Sequence, residues 1–140
     1  MPLVRIDLRK GNDAAYRQDI RRAVDEALVS VGVPKNDRFQ VVGEYEADDF
    51  LFDPDYLGIH RSDDLVMIQI TWNEGRTVQQ KKALYKAIDD RLAAKPGVRP
   101  EDVFINLIEV KKENWSYGNG VAQYVLPQPG VESRATISAR

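Results

Sequence analysis

GVPKNDRF, at residues 32–39, recurs in the sequence as GVRPEDVF at residues 97–104, with Gly, Val, Asp and Phe in matching places. Upstream, AVDE at residues 23–26 aligns with AIDD at residues 87–90 once one residue is inserted. Self-similarity of this kind indicates that one supersecondary unit is used more than once. The chain is therefore predicted to contain two similar units in tandem.

Each unit has the pattern of a strand, a helix and a second strand. Four runs rich in β-branched and other apolar residues predict strands, at residues 3–8, 39–42, 65–71 and 103–110. Between the members of each pair, apolar residues recur at helical spacing. Asn12 or Asp13 can cap the first helix, which ends at Gly32, and Pro96-Gly97 ends the second.

A strand–helix–strand unit of this length joins two parallel strands through a right-handed crossover. Two units predict an α+β fold, a four-stranded sheet with both helices on one face. Two architectures fit this order: the ferredoxin-like split βαβ, and a fold in which two βαβ units are related by a pseudo-twofold axis. Periodicity does not choose between them, so the choice depends on the chemistry at the strand ends.

Two segments stand apart from the repeated units. Residues 43–63 are acidic, contain Pro54 and Gly58, and are predicted to form a long loop. The acidic residues of this loop lack the spacing of a calcium-binding loop, so solvated side chains are expected and not a metal site. We predict one domain over residues 1–126 and a mobile tail over residues 127–140, where apolar residues become sparse.

Composition excludes several classes of function. The chain has 140 residues, of which 43% are hydrophobic, and a net charge of −2. The interspersed charges predict no nucleic-acid or membrane partner. It contains no cysteine and only one histidine, so neither a thiolate site nor a multi-histidine metal site is expected. No basic segment followed by an apolar run opens the sequence, so the expected location is the cytoplasm. No cofactor is predicted.

Pro2 becomes a secondary amine at the chain terminus once Met1 is removed. Methionine is normally removed before a small residue, and the amine would then stand at the start of the first strand. Burial or a nearby cation would lower its pKa, as proton abstraction from a carbon acid requires. Proline also opens strands for purely structural reasons, so Pro2 alone does not predict catalysis.

Arg76 and Asp37 are two charged residues that can act together with Pro2. If the leading strands of the two units are antiparallel, the end of the second lies near the start of the first, and Arg76 faces Pro2. A guanidinium there can hold a carboxylate with two hydrogen bonds, but Arg76 can equally be a solvated turn arginine. Asp37 can orient water or stabilise a proline ammonium. It can equally be a turn residue bonded to its own backbone, and its counterpart Asp102 favours that second interpretation.

Trp115 and Tyr117 follow the last strand in a glycine-containing loop. Aromatic side chains there can form the wall of an apolar pocket, or they can serve packing and subunit contact. The sequence alone leaves both open.

Together these segments resemble the malonate semialdehyde decarboxylase branch of the tautomerase superfamily. The likeness rests on four stretches in order: Pro2-Leu3, Gly32-Val33-Pro34 with Asn36-Asp37-Arg38, Arg76 with Gln80-Lys81, and Asn114 to Gly118. The resemblance implies the tautomerase fold, an enzyme that needs no cofactor, and a homotrimer whose site is completed by a neighbouring subunit. It implies Pro2 as the catalytic amine, Asp37 as its assistant, Arg76 as the carboxylate ligand, and Trp115 and Tyr117 as an aromatic wall.

One position departs from that family. The decarboxylases carry two arginines in the loop after the second leading strand, and the earlier position here is Glu74. Glu74 would repel a carboxylate and not bind it, whereas Arg76 alone suffices to hold a 2-keto or enol acid. We therefore expect proton transfer on such an acid, for example phenylenolpyruvate. Decarboxylation or hydration of malonate semialdehyde is the first alternative. A non-catalytic ferredoxin-like binding module is the second.

Overall fold

The computed structural model describes residues 2–125, and its elements follow the predicted order. The strands are β1 (Leu3–Arg9), β2 (Phe39–Tyr45), β3 (Val66–Asn73) and β4 (Val103–Val110), and the helices are α1 (Ala14–Ser30) and α2 (Val78–Ala94). The tail predicted over residues 127–140 lies outside the described residues. That tail and the domain boundary at residue 126 therefore stay predictions.

The sheet has the strand order β2-β1-β3-β4. β1 pairs with β2 in parallel and β3 pairs with β4 in parallel, while the two leading strands β1 and β3 are antiparallel at the centre. Because the strands of each unit are direct neighbours, neither unit is split, and the ferredoxin-like alternative is wrong. The α+β fold with two βαβ units about a pseudo-twofold axis is confirmed.

Both helices begin at side-chain caps that the sequence supplies. Asp13 accepts a hydrogen bond from the Tyr16 backbone N–H at 2.9 Å, which selects it over Asn12 as the cap of α1. Thr77 and Gln80 form a reciprocal capping box at the start of α2. Such caps stabilise a helix by satisfying N–H groups that have no partner within it. No helix among residues 2–125 is long and apolar enough to cross a membrane.

The core lies between the helices and one face of the sheet. Alternate strand residues point into it, as the two-residue period of a strand requires. Its fully buried side chains include Val4, Ile6, Ile68, Ile70 and Trp72 from the sheet and Ile20, Val24, Leu28, Leu84, Ile88 and Leu92 from the helices. The apolar stripes predicted for the two helices therefore supply this core, except that Val78 and Tyr85, which were expected in the second stripe, are exposed.

The other face of the sheet is open within one chain. Large apolar side chains remain exposed there: Phe39 at 51%, Val41 at 46%, Phe104 at 44% and Ile108 at 38%. Exposed apolar patches of this kind mark interaction surfaces. We call these four residues the open-face patch.

The acidic loop begins later than predicted and lies far from Pro2. β2 continues through Gly43 and Glu44 to Tyr45, so the prediction of loop from residue 43 is wrong at its start. The reason is pairing: β1 runs on to Arg9, which is matched with Tyr45, and its backbone groups hold β2 to that length. The loop then connects the end of β2 to the start of β3. It therefore lies at the opposite end of the sheet from the start of β1.

A buried carboxylate fixes this loop to the second unit. Asp102 is 1% exposed. It accepts hydrogen bonds from the Ser62 backbone N–H at 2.7 Å, the Ser62 hydroxyl at 2.6 Å and Arg99 Nε at 3.1 Å. Burial alone would raise the pKa of Asp102, but the bonds from Ser62 and Arg99 favour the charged form and lower it overall.

Asp102→Ala is expected to lower the free energy of unfolding by about 2–4 kcal/mol, because it leaves buried donors without an acceptor. A lowered folded-state pKa stabilises the fold above the ordinary aspartate pKa, and that stabilisation is lost as pH falls through the folded value. The deficit of Asp102→Ala should therefore shrink on acidification in urea unfolding curves. Asp37→Ala is the matched control from the other repeat, and an equal loss there would contradict this role.

Candidate active site

The topology brings the predicted site residues to one end of the sheet. β1 and β2 start at that end, and β3 and β4 finish there. Pro2 precedes β1, Asp37 precedes β2, Arg76 follows β3, and Trp115 follows β4. The antiparallel placement of the leading strands, expected from the repeat, is what gathers them.

Pro2 is buried directly before the first residue of β1. Leu3 is matched with Thr71 in the antiparallel register, so the next pair outward is Pro2 and Trp72. Residues directly opposite in an antiparallel pair share a face of the sheet. The proline ring therefore lies on the side of the Trp72 indole, at a rigid strand start.

The guanidinium of Arg76 stacks on the same indole, that of Trp72. Its Cζ lies 3.9 Å from the centroid of the Trp72 ring, a cation–π contact. Its Nη1 donates to the Asn73 carbonyl at 2.8 Å. Burial lowers the pKa of Arg76, yet a guanidinium keeps its proton at neutral pH. The site thus contains a fixed, partly desolvated cation.

No carboxylate among residues 2–125 forms an ion pair with Arg76. Glu109 lies opposite Trp72 on β4, and its negative charge acts to raise the pKa of Arg76, against the larger effect of burial. Its carboxylate is paired with Lys81 Nζ at 2.6 Å instead. The guanidinium therefore keeps hydrogen-bonding capacity for an external anion.

Trp115 and Tyr117 form a stacked aromatic wall. Their ring centroids lie 5.3 Å apart at an interplanar angle of 13°. Phe39 and Tyr124 extend the wall, with centroids 6.4 Å and 5.3 Å from that of Tyr117. Trp115 Nε1 donates to Asn73 Oδ1 at 2.7 Å. Burial, with smaller contributions from Tyr124 and Asp37, raises the pKa of Tyr117, so its phenol is neutral at physiological pH.

Asp37 lies next to this wall and is half-buried. Its backbone N–H closes the turn by donating to the Pro34 carbonyl at 3.3 Å. Among the described residues its carboxylate makes no hydrogen bond or ion pair, unlike that of its repeat counterpart Asp102. The structural analogy with Asp102 therefore does not hold, because only Asp102 is an acceptor for a neighbouring loop.

Four residues of this end of the sheet were not anticipated: Phe39, Trp72, Asn73 and Tyr124. Trp72 continues the buried alternation of β3, which was a usable signal. Asn73 lies beyond the strand predicted over residues 65–71, where no strand or helix pattern indicated its contacts. The contacts of Phe39 and Tyr124 depend on how the last loop folds back, and no local pattern encodes that.

The structure offers no sign of a metal centre in residues 2–125. No three His, Asp or Glu side chains in this range are grouped as metal ligands. The acidic residues of the loop at the other end of the sheet make ion pairs or face solvent, as Lys10 with Glu46 at 2.9 Å illustrates.

The sequence matches two family models, both described as tautomerase enzymes, over residues 37–118 and residues 2–59. The chain belongs to the tautomerase family and is an enzyme of that family. It is 43% identical over 126 residues to the probable tautomerase YusQ of Bacillus subtilis (strain 168), covering 89% of this chain and 99% of the relative.

Solved structures agree with this assignment. A malonate semialdehyde decarboxylase, studied in wild-type, mutant and inactivated forms, superposes with a TM-score of 0.81 at 31% identity, over 87% of this chain and 95% of its own. A fused 4-OT that forms a symmetric trimer has a TM-score of 0.70 at 24% identity, over 85% and 94%. The second likeness concerns the fold alone. The resemblance to the decarboxylase branch is confirmed, and the non-catalytic alternative is wrong.

Proposed function

We propose that this enzyme transfers a proton on 2-keto and enol acids, using the amine of Pro2 after removal of Met1. One observation carries the proposal: Arg76, which stacks on Trp72 of β3 beside the start of β1, is a cation that forms no ion pair with a carboxylate among residues 2–125. A carboxylate bound there would place the adjacent carbon of the substrate near the strand start. Pro2 is the residue at that point.

The reaction on phenylenolpyruvate is a ketonisation. The proton of the 2-hydroxyl is removed, the C2–O bond becomes a carbonyl, and C3 gains a proton. Pro2 nitrogen accepts the hydroxyl proton and returns a proton to C3, so the free amine is regenerated and no proton is gained overall. A positioned amine whose pKa is close to the working pH is suited to both transfers.

The other residues receive roles from their surroundings. Arg76 holds the carboxylate and stabilises the negative charge that develops next to it. Asp37 stabilises the proline ammonium during the cycle or orients a water molecule. Trp115 and Tyr117 supply aromatic surface beside the site, which favours a phenyl group at C3 of the substrate.

Decarboxylation or hydration of malonate semialdehyde is the second candidate. Two observations favour it: the structural likeness to a malonate semialdehyde decarboxylase, and the carboxylate of Asp37, which has no partner in the part of the chain that the structure describes. Glu74 opposes this candidate. Its exposed carboxylate stands two positions before Arg76, where the decarboxylases have their other arginine, and it repels the carboxylate of the substrate. Release of acetaldehyde from malonate semialdehyde, abolished by Arg76→Ala, would favour this candidate over tautomerisation.

The first test is direct. Ketonisation of phenylenolpyruvate is followed by its ultraviolet absorbance, with purified protein compared with buffer. A rate above that of buffer supports the proposal, and a rate equal to that of buffer removes it.

We propose further that three chains assemble through the open-face patch. Apolar side chains exposed on a sheet lose contact with water when such faces meet. In light scattering, the expected mass is three times the 15.9 kDa of one chain. Val41→Asp should lower that mass, whereas Val78→Asp, at an exposed valine of α2, should not. A monomeric wild-type protein, or equal effects of both substitutions, would contradict this assembly.

A further inference from the structure

Asn73, the last residue of β3, makes two hydrogen bonds to different parts of the site. Its backbone carbonyl accepts from Arg76 Nη1 at 2.8 Å. Its side-chain Oδ1 accepts from Trp115 Nε1 at 2.7 Å. One residue therefore contacts both the cation and the aromatic wall.

The two contacts lie on opposite sides of the sheet. Trp72 and Asn73 are consecutive in β3, so their side chains point to opposite faces. Arg76 stacks on Trp72 at the helix-covered face, while Asn73 holds Trp115 at the open face. The end of β3 therefore lies between Arg76 and Trp115 and sets the distance between them.

Apart from the stacking of Tyr117 on Phe39 of β2, few contacts attach the loop that carries the wall to the sheet. Residues 115–125 contain no helix or strand. Tyr117 N–H donates to Gln123 Oε1 at 2.9 Å, and Gln123 Nε2 donates to the Gly118 carbonyl at 2.8 Å, so these bonds stay within the loop. Among residues 2–125, the bond from Trp115 to Asn73 is the one side-chain hydrogen bond that ties this loop to the sheet.

We propose that Asn73 is a positioning residue that fixes the spacing between the carboxylate-binding Arg76 and the aromatic wall. That spacing selects 2-keto and enol acids with an aromatic substituent over small acids that reach only Arg76. The inference rests on the proposed function, since it assigns a carboxylate to Arg76 and a ring to the wall.

Asn73→Ala removes Oδ1 and keeps the backbone carbonyl that holds Arg76. With phenylenolpyruvate we expect KM to rise by about tenfold, with a smaller change in kcat, because a lost hydrogen bond releases the wall but not Pro2. Trp115→Phe removes the donor and keeps a ring. If Asn73 acts through Trp115, the double variant should be no worse than the more impaired single variant.

The matched control is Asn12→Ala, at the opposite end of the sheet. Within residues 2–125, Asn12 makes one hydrogen bond, through its backbone carbonyl, which accepts from Arg17 Nη1 at 2.8 Å. This variant should leave KM unchanged. Additive effects of Asn73→Ala and Trp115→Phe, or an equal effect of Asn12→Ala, would overturn the inference.

A spectroscopic measurement separates positioning from general damage. The chain has two tryptophans, so the full-length protein gives two indole N–H signals in a nitrogen-correlated NMR spectrum. Asn73→Ala should shift the Trp115 signal strongly, while Trp72 keeps its position on Arg76. A spectrum in which neither signal moves shows that the bond is not formed and overturns the inference.

Binding keeps this test independent of turnover. Dissociation constants for phenylpyruvate and pyruvate are measured by tryptophan fluorescence in wild type and in Asn73→Ala. We expect wild type to prefer phenylpyruvate and Asn73→Ala to reduce that preference about tenfold, mainly through phenylpyruvate. If wild type shows the preference but no ketonisation, the proposed function fails and the selection by Asn73 stands. If wild type has no preference, or the variant keeps it, the selection fails.

Discussion

Pro2→Ala is expected to lower kcat/KM for phenylenolpyruvate by about 100-fold or more, the contribution of one positioned proton-transfer group. Alanine at this position still permits removal of Met1, so the variant keeps a terminal amine. That amine is primary, and it lacks the ring whose placement at the start of β1 is fixed by burial. The comparison isolates the secondary amine and its rigidity.

The control for this variant is structural. Its intact mass must show that Met1 is absent, and its circular dichroism and thermal midpoint should match those of wild type. Activity within a few-fold of wild type would mean that Pro2 is an ordinary strand-opening proline.

Arg76→Ala has the second largest expected effect. Loss of the charge-assisted contacts to a carboxylate should lower kcat/KM by about 100-fold, chiefly through KM. Arg76→Lys keeps a charge but not the planar fork, so it should recover only part of the loss.

Arg22→Ala serves as the matched arginine control. This side chain is exposed on α1 and pairs with Asp19 at 3.6 Å, away from the strand ends that form the site. We expect Arg22→Ala to keep full activity. Equal losses in Arg22→Ala and Arg76→Ala would mean that overall charge, and not a specific carboxylate contact, governs the rate.

Much of the fold was predictable because its information is local and repeated. The duplicated segments at residues 32–39 and 97–104 place a turn before β2 and before β4. The caps at Asp13 and Thr77 and the apolar spacing define the helices. The end of β2 was not predictable, since Gly43 and Glu44 have weak strand preferences and are held there by pairing with β1.

The site was predictable where topology alone decides it. Antiparallel leading strands were enough to place Arg76 near Pro2. The strand directions also determine at which end of the sheet the acidic loop lies. The loop was predicted from the sequence, but its end of the sheet was not. Contacts between Phe39 and Tyr117 join distant segments through an irregular loop, and no periodicity signals them.

The repeat misled at one point for a physical reason. Asp37 and Asp102 occupy equivalent turn positions, which favoured the same structural role for both. The long loop after β2 supplies Ser62 to Asp102, whereas no described residue supplies a donor to the carboxylate of Asp37. Equivalent sequence positions thus differ because, among residues 2–125, only the carboxylate of Asp102 accepts hydrogen bonds from a neighbouring loop.

The central claim is that a free amine at Pro2 moves a proton on an enol acid. Its most direct measurement is the initial rate of phenylenolpyruvate ketonisation by protein whose intact mass begins at Pro2. We expect a rate well above that of buffer, and we expect it only from chains that have lost Met1. A rate equal to that of buffer from fully processed protein, or full activity in chains that retain Met1, would contradict it.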